Sequence, residues 1–109
     1  MHELGIAQQL VEIAAESSGG ARILRVVVEV GKLAAVLPEA LQFCFEAASA
    51  GTPAEGATLE IVEVPGVALC RACGARVELL RPFGRCACGG TDLDWQSGEE
   101  LRIKELEVA

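Results

Sequence analysis

The sequence predicts an α+β fold: two helices packed on a three-stranded sheet, with an inserted four-cysteine, zinc-ribbon-like loop. Three observations predict it. Apolar residues recur at helical spacing in two segments, β-branched runs mark three strands, and two close pairs of cysteines fall between the second and third strands.

Residues 4–18 form the first expected helix. Leu4, Ala7, Leu10, Val11 and Ala14 share a face, Gln8, Glu12 and Glu16 lie elsewhere, and Gly19-Gly20 stops it. Residues 22–30, Arg-Ile-Leu-Arg-Val-Val-Val-Glu-Val, form the first strand, with Val26, Val28 and Val30 on the face expected to meet the core. Pro38 suits the first turn of the second helix, where its missing N–H breaks no bond. Leu37, Leu41, Cys44, Phe45 and Ala48 follow at helical spacing, and Gly51 ends the run. Thr58 to Val64 is the second strand, closed by Pro65-Gly66, and Leu101 to Val108 is the third. The apolar phase of the third slips between Ile103 and Leu106, which marks a bulge or an edge position. The expected domains are 1–66 plus 97–109 and, inserted, 67–96. The insertion has few large apolar residues beyond Val77, Leu79, Leu80, Phe83 and Trp95, so it needs a staple.

A chain of 109 residues accommodates one compact domain and a small appendage. No apolar run approaches membrane-spanning length, and Met1-His2-Glu3-Leu4 lacks the basic start and apolar core of a signal peptide. The expectation is a cytoplasmic protein with reduced thiols and no membrane partner. Net charge −7 repels phosphate backbones, which argues against nucleic acid as a partner. The charge is uneven: Arg71, Arg76, Arg81 and Arg85 against Glu78 give Cys70–Gly90 a formal +3, leaving −10 on the rest.

Cys70-Arg-Ala-Cys73-Gly and Cys86-Ala-Cys88-Gly-Gly are separated by the twelve residues Gly74 to Arg85. Zinc takes four soft ligands in a tetrahedron, and a tight turn carrying two cysteines supplies half of that shell. Glycine after the second cysteine lets each turn close. Val77-Glu-Leu-Leu80 is expected to form a short hairpin that joins the halves. The second pair has one intervening residue where a knuckle has two, so its turn departs from the usual one. Four thiolates leave no open position for water, so the zinc reads as structural. Cys44, on the apolar face of the second helix, reads as a buried small hydrophobe.

His2 is the chain's only histidine. A free α-amine on Met1, the amide nitrogen of His2 and its Nδ1 can close adjacent chelate rings of the square-planar nitrogen kind that suits nickel(II) or copper(II). On the residues alone, a histidine at position 2 is more usually part of a frayed terminus. Glu3 stands in the first turn, where its carboxylate complements the helix dipole.

Taken together the chain resembles the hydrogenase maturation nickel metallochaperones, the HypA/HybF family. The resemblance lies in Met1-His2-Glu3-Leu4, Val30-Gly31-Lys32-Leu33, Pro38-Glu39-Ala40-Leu41 running into Phe43-Cys44-Phe45-Glu46, and Gly51-Thr52 with Glu55-Gly56-Ala57-Thr58-Leu59. The cysteine pairs and Gly98 to Val108 complete it, over essentially the full length. It implies a nickel-binding domain with an inserted zinc loop. Nickel(II) would be transient cargo on Met1, His2 and Glu3, and zinc(II) would be held by Cys70, Cys73, Cys86 and Cys88. The family usually carries two Cys-x-x-Cys pairs, so Cys86-Ala-Cys88 is a departure. The implied partners are the large-subunit precursor of a [NiFe]-hydrogenase and the GTPase HypB, and the chain would be no enzyme. Monomer and homodimer both stay open, as does urease as a further client. The rival classes are a zinc-ribbon nucleic-acid module, using the loop arginines, and a structural adaptor whose terminus does nothing.

Overall fold

The structure is a computed structural model and describes residues 2–109. Its elements run α1 (His2–Ser17), β1 (Ile23–Gly31), a 3-10 turn (Lys32–Ala34), α2 (Pro38–Ser49), β2 (Thr58–Val64), β3 (Gly66–Cys70), β4 (Arg76–Leu79), β5 (Leu93–Ser97) and β6 (Leu101–Val108). The strands form two three-stranded sheets, ordered β2-β1-β6 and β4-β3-β5. The chain divides into two compact units. The first comprises the chain up to Glu29, Val36–Val62 and Arg102–Ala109; the second comprises Val30–Ala35 and Glu63–Leu101.

In the first unit α1 and α2 pack on each other. Their buried positions, Ala7, Leu10, Val11 and Ala14 on α1 and Leu41, Cys44 and Phe45 on α2, have the spacing of one helical face each. Pro38 opens α2 at its first turn. Gly19 and Gly20 end α1 with positive φ, and the Gly20 N–H donates to the Ala15 carbonyl. The central strand β1 is buried on both faces, through Val26, Val28 and Val30 on one and Ile23 and Val27 on the other. Arg25 holds the strands on either side of it. Its guanidinium reaches Glu60 of β2 at 3.0 Å and Glu105 and Glu107 of β6 at 2.8 and 3.6 Å. The Gln42 side chain donates to the Leu59 carbonyl at 2.7 Å, fastening α2 to β2. β6 lies at a sheet edge, as its slipped apolar phase indicates.

The second unit is antiparallel throughout. Ala68 on β3 faces Val77 on β4 and Trp95 on β5. Its core is small: Leu33, Ala68 and Leu79, with Val77 and Leu93 against them. Leu33 arrives from the 3-10 turn, and its N–H donates to the Gly98 carbonyl at 2.7 Å. Two glycines make room for it, and a third lets the backbones of Gly31 and Gly98 meet. A Cβ on Gly31 would lie 1.9 Å from the Gly98 oxygen, and one on Gly66 or Gly98 would lie within 3 Å of Leu33 carbons.

The sheet β2-β1-β6 is the three-stranded sheet the sequence predicts, and in the inserted loop a second sheet stands in place of the short hairpin expected at Val77–Leu80. Val77 to Leu79 lies in β4, whose partner is β3, and β5 completes the ladder. β3 and β5 span only five residues each, too few for a period-two pattern to stand out, and β3 starts directly after Pro65. No helix among the described residues is long and apolar enough to cross a membrane.

Candidate metal sites

Cys70 is the last residue of β3, and the chain turns at once into β4. In this turn the Gly74 N–H donates to the Cys70 carbonyl at 2.7 Å, and the Cys70 N–H to the Ala75 carbonyl at 2.9 Å. The second pair repeats the device in one residue fewer. The Gly89 N–H donates to the Cys86 carbonyl, and the Cys86 N–H to the Gly90 carbonyl, both at 2.9 Å. In each turn a glycine follows the second cysteine and takes positive φ, 77° at Gly74 and 92° at Gly89. The shorter Cys-x-Cys spacing is thus absorbed by an i+3 closure where the first turn uses i+4.

The two turns interleave their sulfurs. Cys70 Sγ lies 3.7 Å from Cys88 Sγ, Cys73 Sγ lies 3.6 Å from Cys86 Sγ, and all four ligand atoms fall within 4.8 Å of one another. A regular tetrahedron with bonds of about 2.3 Å has edges of about 3.8 Å, so the donors fit a single zinc ion in size, number and softness. All five cysteines are free. Cys70 and Cys86 are buried, whereas Cys73 and Cys88 reach the surface. Gly90 closes in on the cluster: its N–H lies 3.4 Å from Cys88 Sγ, and a Cβ there would sit 2.9 Å from Cys70 Sγ. Arg71, between the first pair, bridges to Asp92 and to Asp94 of β5 at 3.2 and 3.4 Å.

The electrostatics of the cluster call for a cation. The Cys73 N–H, with smaller help from neighbouring groups, brings the Cys70 thiol down to about 7. At Cys73 the Ala75 N–H favours the thiolate, but Cys86, Cys88 and Cys70 crowd it and together push the thiol up to about 12. Negative charge placed on one sulfur raises the cost of charging the next, and a divalent ion at the centre removes that conflict.

Of the residues expected to hold nickel, Met1 lies outside the described residues. His2 is exposed and is the first residue of α1. Glu3 follows, and its Oε2 accepts the Leu37 N–H at 3.2 Å. That bond, then the residue's own amide, holds the Glu3 carboxyl below its ordinary value. Sequence reasoning placed Glu3 at the start of α1 and missed its contact with the residue that caps α2. The available signal is that a helix opening Leu37-Pro38 has no side-chain cap of its own. Among the described residues the four cysteines form the one cluster of metal-ligating side chains. Cys44 is buried within the first unit, as a small apolar residue would be.

Fold and site define a small α+β protein built around a tetrathiolate metal site. The family model described as "Hydrogenase/urease nickel incorporation, metallochaperone, hypA" matches residues 1–108. Similar curated proteins include the hydrogenase maturation factor HypA of Trichormus variabilis, 56% identical over 99% of this chain and 96% of that protein. The HypA of Geobacter sulfurreducens is 51% identical over 99% of both. The solution structure of the Ni metallochaperone HypA from Helicobacter pylori superposes with a TM-score of 0.65 at 23% identity, covering 97% of this chain and 96% of that one, a likeness that speaks for the fold. The chain belongs to the HypA family of nickel metallochaperones, accessory proteins of hydrogenase maturation rather than catalysts.

Proposed function

We propose that this protein binds one nickel(II) through the α-amine of Met1, the amide and Nδ1 of His2 and the amide of Glu3, and passes it to the large-subunit precursor of a [NiFe]-hydrogenase. The observation that carries this reading is that His2 and Glu3 lie in the first turn of α1. The first N–H groups of a helix have no intrahelical acceptor, so the His2 and Glu3 amides can lose their protons to a metal without breaking a helical bond. The four thiolates, by contrast, are gathered in one another's cluster. A nitrogen chelate at a chain start can also be opened from outside by an incoming ligand, as delivery requires.

In this reading Cys70, Cys73, Cys86 and Cys88 hold a structural zinc(II), which supplies the charge that lets four thiolates coexist. The first unit is then the nickel-binding domain and the second the zinc-binding one. A GTPase of the HypB kind is the expected helper in transfer. The setting is cytoplasmic, because the thiols must stay reduced.

The test is a nickel titration of untagged, zinc-loaded protein, followed by the visible absorption of square-planar nickel. His2→Ala and a one-residue amino-terminal extension should each abolish the signal while zinc content and far-ultraviolet dichroism stay unchanged. Nickel bound with native affinity by either variant refutes the ligand set. Acidification should release the metal as the amine and imidazole take up protons.

A further inference from the structure

We propose that the tip of the four-cysteine unit is a docking surface for an acidic segment of another protein that carries an apolar anchor. The proposal does not rest on the nickel reading. The register of β4-β3-β5 puts Ala68, Val77, Leu93 and Trp95 on one face, and Leu69, Arg76, Glu78 and Asp94 on the other. The loop after β4, Leu80-Arg-Pro-Phe-Gly-Arg85, folds back over the first face. Gly84 comes so close that a Cβ there would lie 2.6 Å from Leu79 Cδ2. Between loop and sheet lies a depression of about 410 Å³, lined by Pro82, Phe83, Gly84, Thr91, Leu93 and Trp95. Phe83 is 88% exposed and Leu80 66%, in a unit whose apolar cluster is no more than Leu33, Ala68 and Leu79 with Val77 and Leu93 against them. An apolar surface of this kind on so small a unit marks an interaction site.

The charge around it selects the occupant. Arg81 and Arg85 stand two residues before and after Phe83, both exposed, and neither forms an ion pair among the described residues. Their acidic neighbours are committed elsewhere: Asp92 and Asp94 bind Arg71, and Glu78 lies on the opposite sheet face. Arg81 and Arg85 are therefore two unpaired cations at the rim of the depression, in a chain of net charge −7. Carboxylates pair with guanidinium forks at such a rim while an apolar side chain fills the depression. A polyphosphate would also meet the two arginines, but it carries more charge than two guanidiniums neutralise, in a chain of net charge −7, and at the tip it finds two exposed aromatic rings, Phe83 and Trp95. A short acidic segment needs to reach no further than these two arginines.

Trp95 is the only tryptophan and lines the depression, so its fluorescence reports occupancy directly. Zinc-loaded full-length protein is titrated with an acetylated peptide of about ten residues, two central leucines flanked by glutamates. Two control ligands are the same peptide with central serines and an oligouridylate of similar length. The leucine peptide should shift Trp95 emission saturably, with at least about tenfold tighter binding than the serine peptide. Phe83→Ala and the pair Arg81→Glu, Arg85→Glu should each weaken it about tenfold or more, with zinc content unchanged. Since these side chains are exposed, the variants keep the fold. No response to the leucine peptide, equal binding of the serine peptide, or tighter binding of the oligouridylate overturns the proposal, the last in favour of nucleic acid.

Discussion

Replacing Leu33 by alanine should loosen zinc without disturbing the helical unit. Leu33 is 4% exposed and packs with Ala68 and Leu79 in the apolar cluster of the cysteine unit. Truncating a buried leucine costs about 2–5 kcal/mol, set by how far the site collapses. Collapse is limited at this site, because Gly66 and Gly98 already touch the leucine carbons through their backbones and have no side chains to move into the gap. The cost should therefore fall in the upper half of the range, roughly 3–5 kcal/mol. A unit this small with so little core depends on its metal for folding, so binding and folding free energies are one quantity. If the metal-free unit is unfolded, the loss appears wholly as zinc affinity, and every 1.4 kcal/mol is about tenfold. Competition against a chromophoric chelator should then show zinc held at least about a hundredfold more weakly. Amide exchange at Val26 and Val28 should stay as slow as in the parent protein. An affinity within about threefold of the parent would show that Leu33 does not organise the cysteine unit.

Gly90→Ala puts a methyl 2.9 Å from Cys70 Sγ and 3.3 Å from Cys88 Sγ. It should lower zinc affinity and shift the cobalt-substituted thiolate spectrum, while leaving the dichroism of the helices intact. The Glu3 carboxyl is depressed, so the contact with Leu37 contributes stability above the ordinary carboxyl value of 4.5 and loses it as pH falls through the lower folded value. An NMR titration should show the Leu37 amide moving in that acidic window, and Glu3→Gln should remove the inflection. Arg25→Met removes the charge that joins β1 to carboxylates on β2 and β6. The pairs are half exposed, so the cost should be modest, about 1–2 kcal/mol for the network, read as a lower thermal midpoint that is insensitive to zinc.

The sequence makes some parts of this fold legible and hides others for physical reasons. α1, β1, α2, β2 and β6 show because each buries a face long enough for its period to repeat: Leu41, Cys44 and Phe45 on α2, or Val26, Val28 and Val30 on β1. The four-cysteine cluster shows because zinc dictates residue type and spacing locally. The second sheet stays hidden because β3, β4 and β5 are short, and because β5, which pairs with β3, lies beyond both cysteine pairs. The inclusion of Val30–Ala35 in the cysteine unit is hidden too, since it follows from Leu33 fitting against Gly66 and Gly98 while Gly31 meets the Gly98 backbone. Gly31 and Gly66 read singly as strand ends, and Gly98 as the start of the closing segment. Only in three dimensions do they become a socket.

The same contrast bears on the irregular Cys86-Ala-Cys88 pair. Judged by spacing, it departs from the family pattern and puts the geometry of the metal site in doubt. Judged by hydrogen bonding, the two turns are alike: the glycine after the second cysteine takes positive φ and returns its N–H to the carbonyl of the first, at Gly74 and Cys70 as at Gly89 and Cys86. A ligand turn has to aim two Cβ–Sγ bonds at one point and satisfy its own backbone, and the number of residues between the cysteines matters only through those two demands. The shorter turn meets the second with an i+3 closure and the first by exchanging partners across the cluster, Cys88 beside Cys70 and Cys86 beside Cys73. Gly90 then packs where a residue with a side chain could not, against Cys70 and Cys88. Spacing is therefore a proxy, and the glycines at 74, 89 and 90 are the more direct mark of a four-sulfur site in this chain.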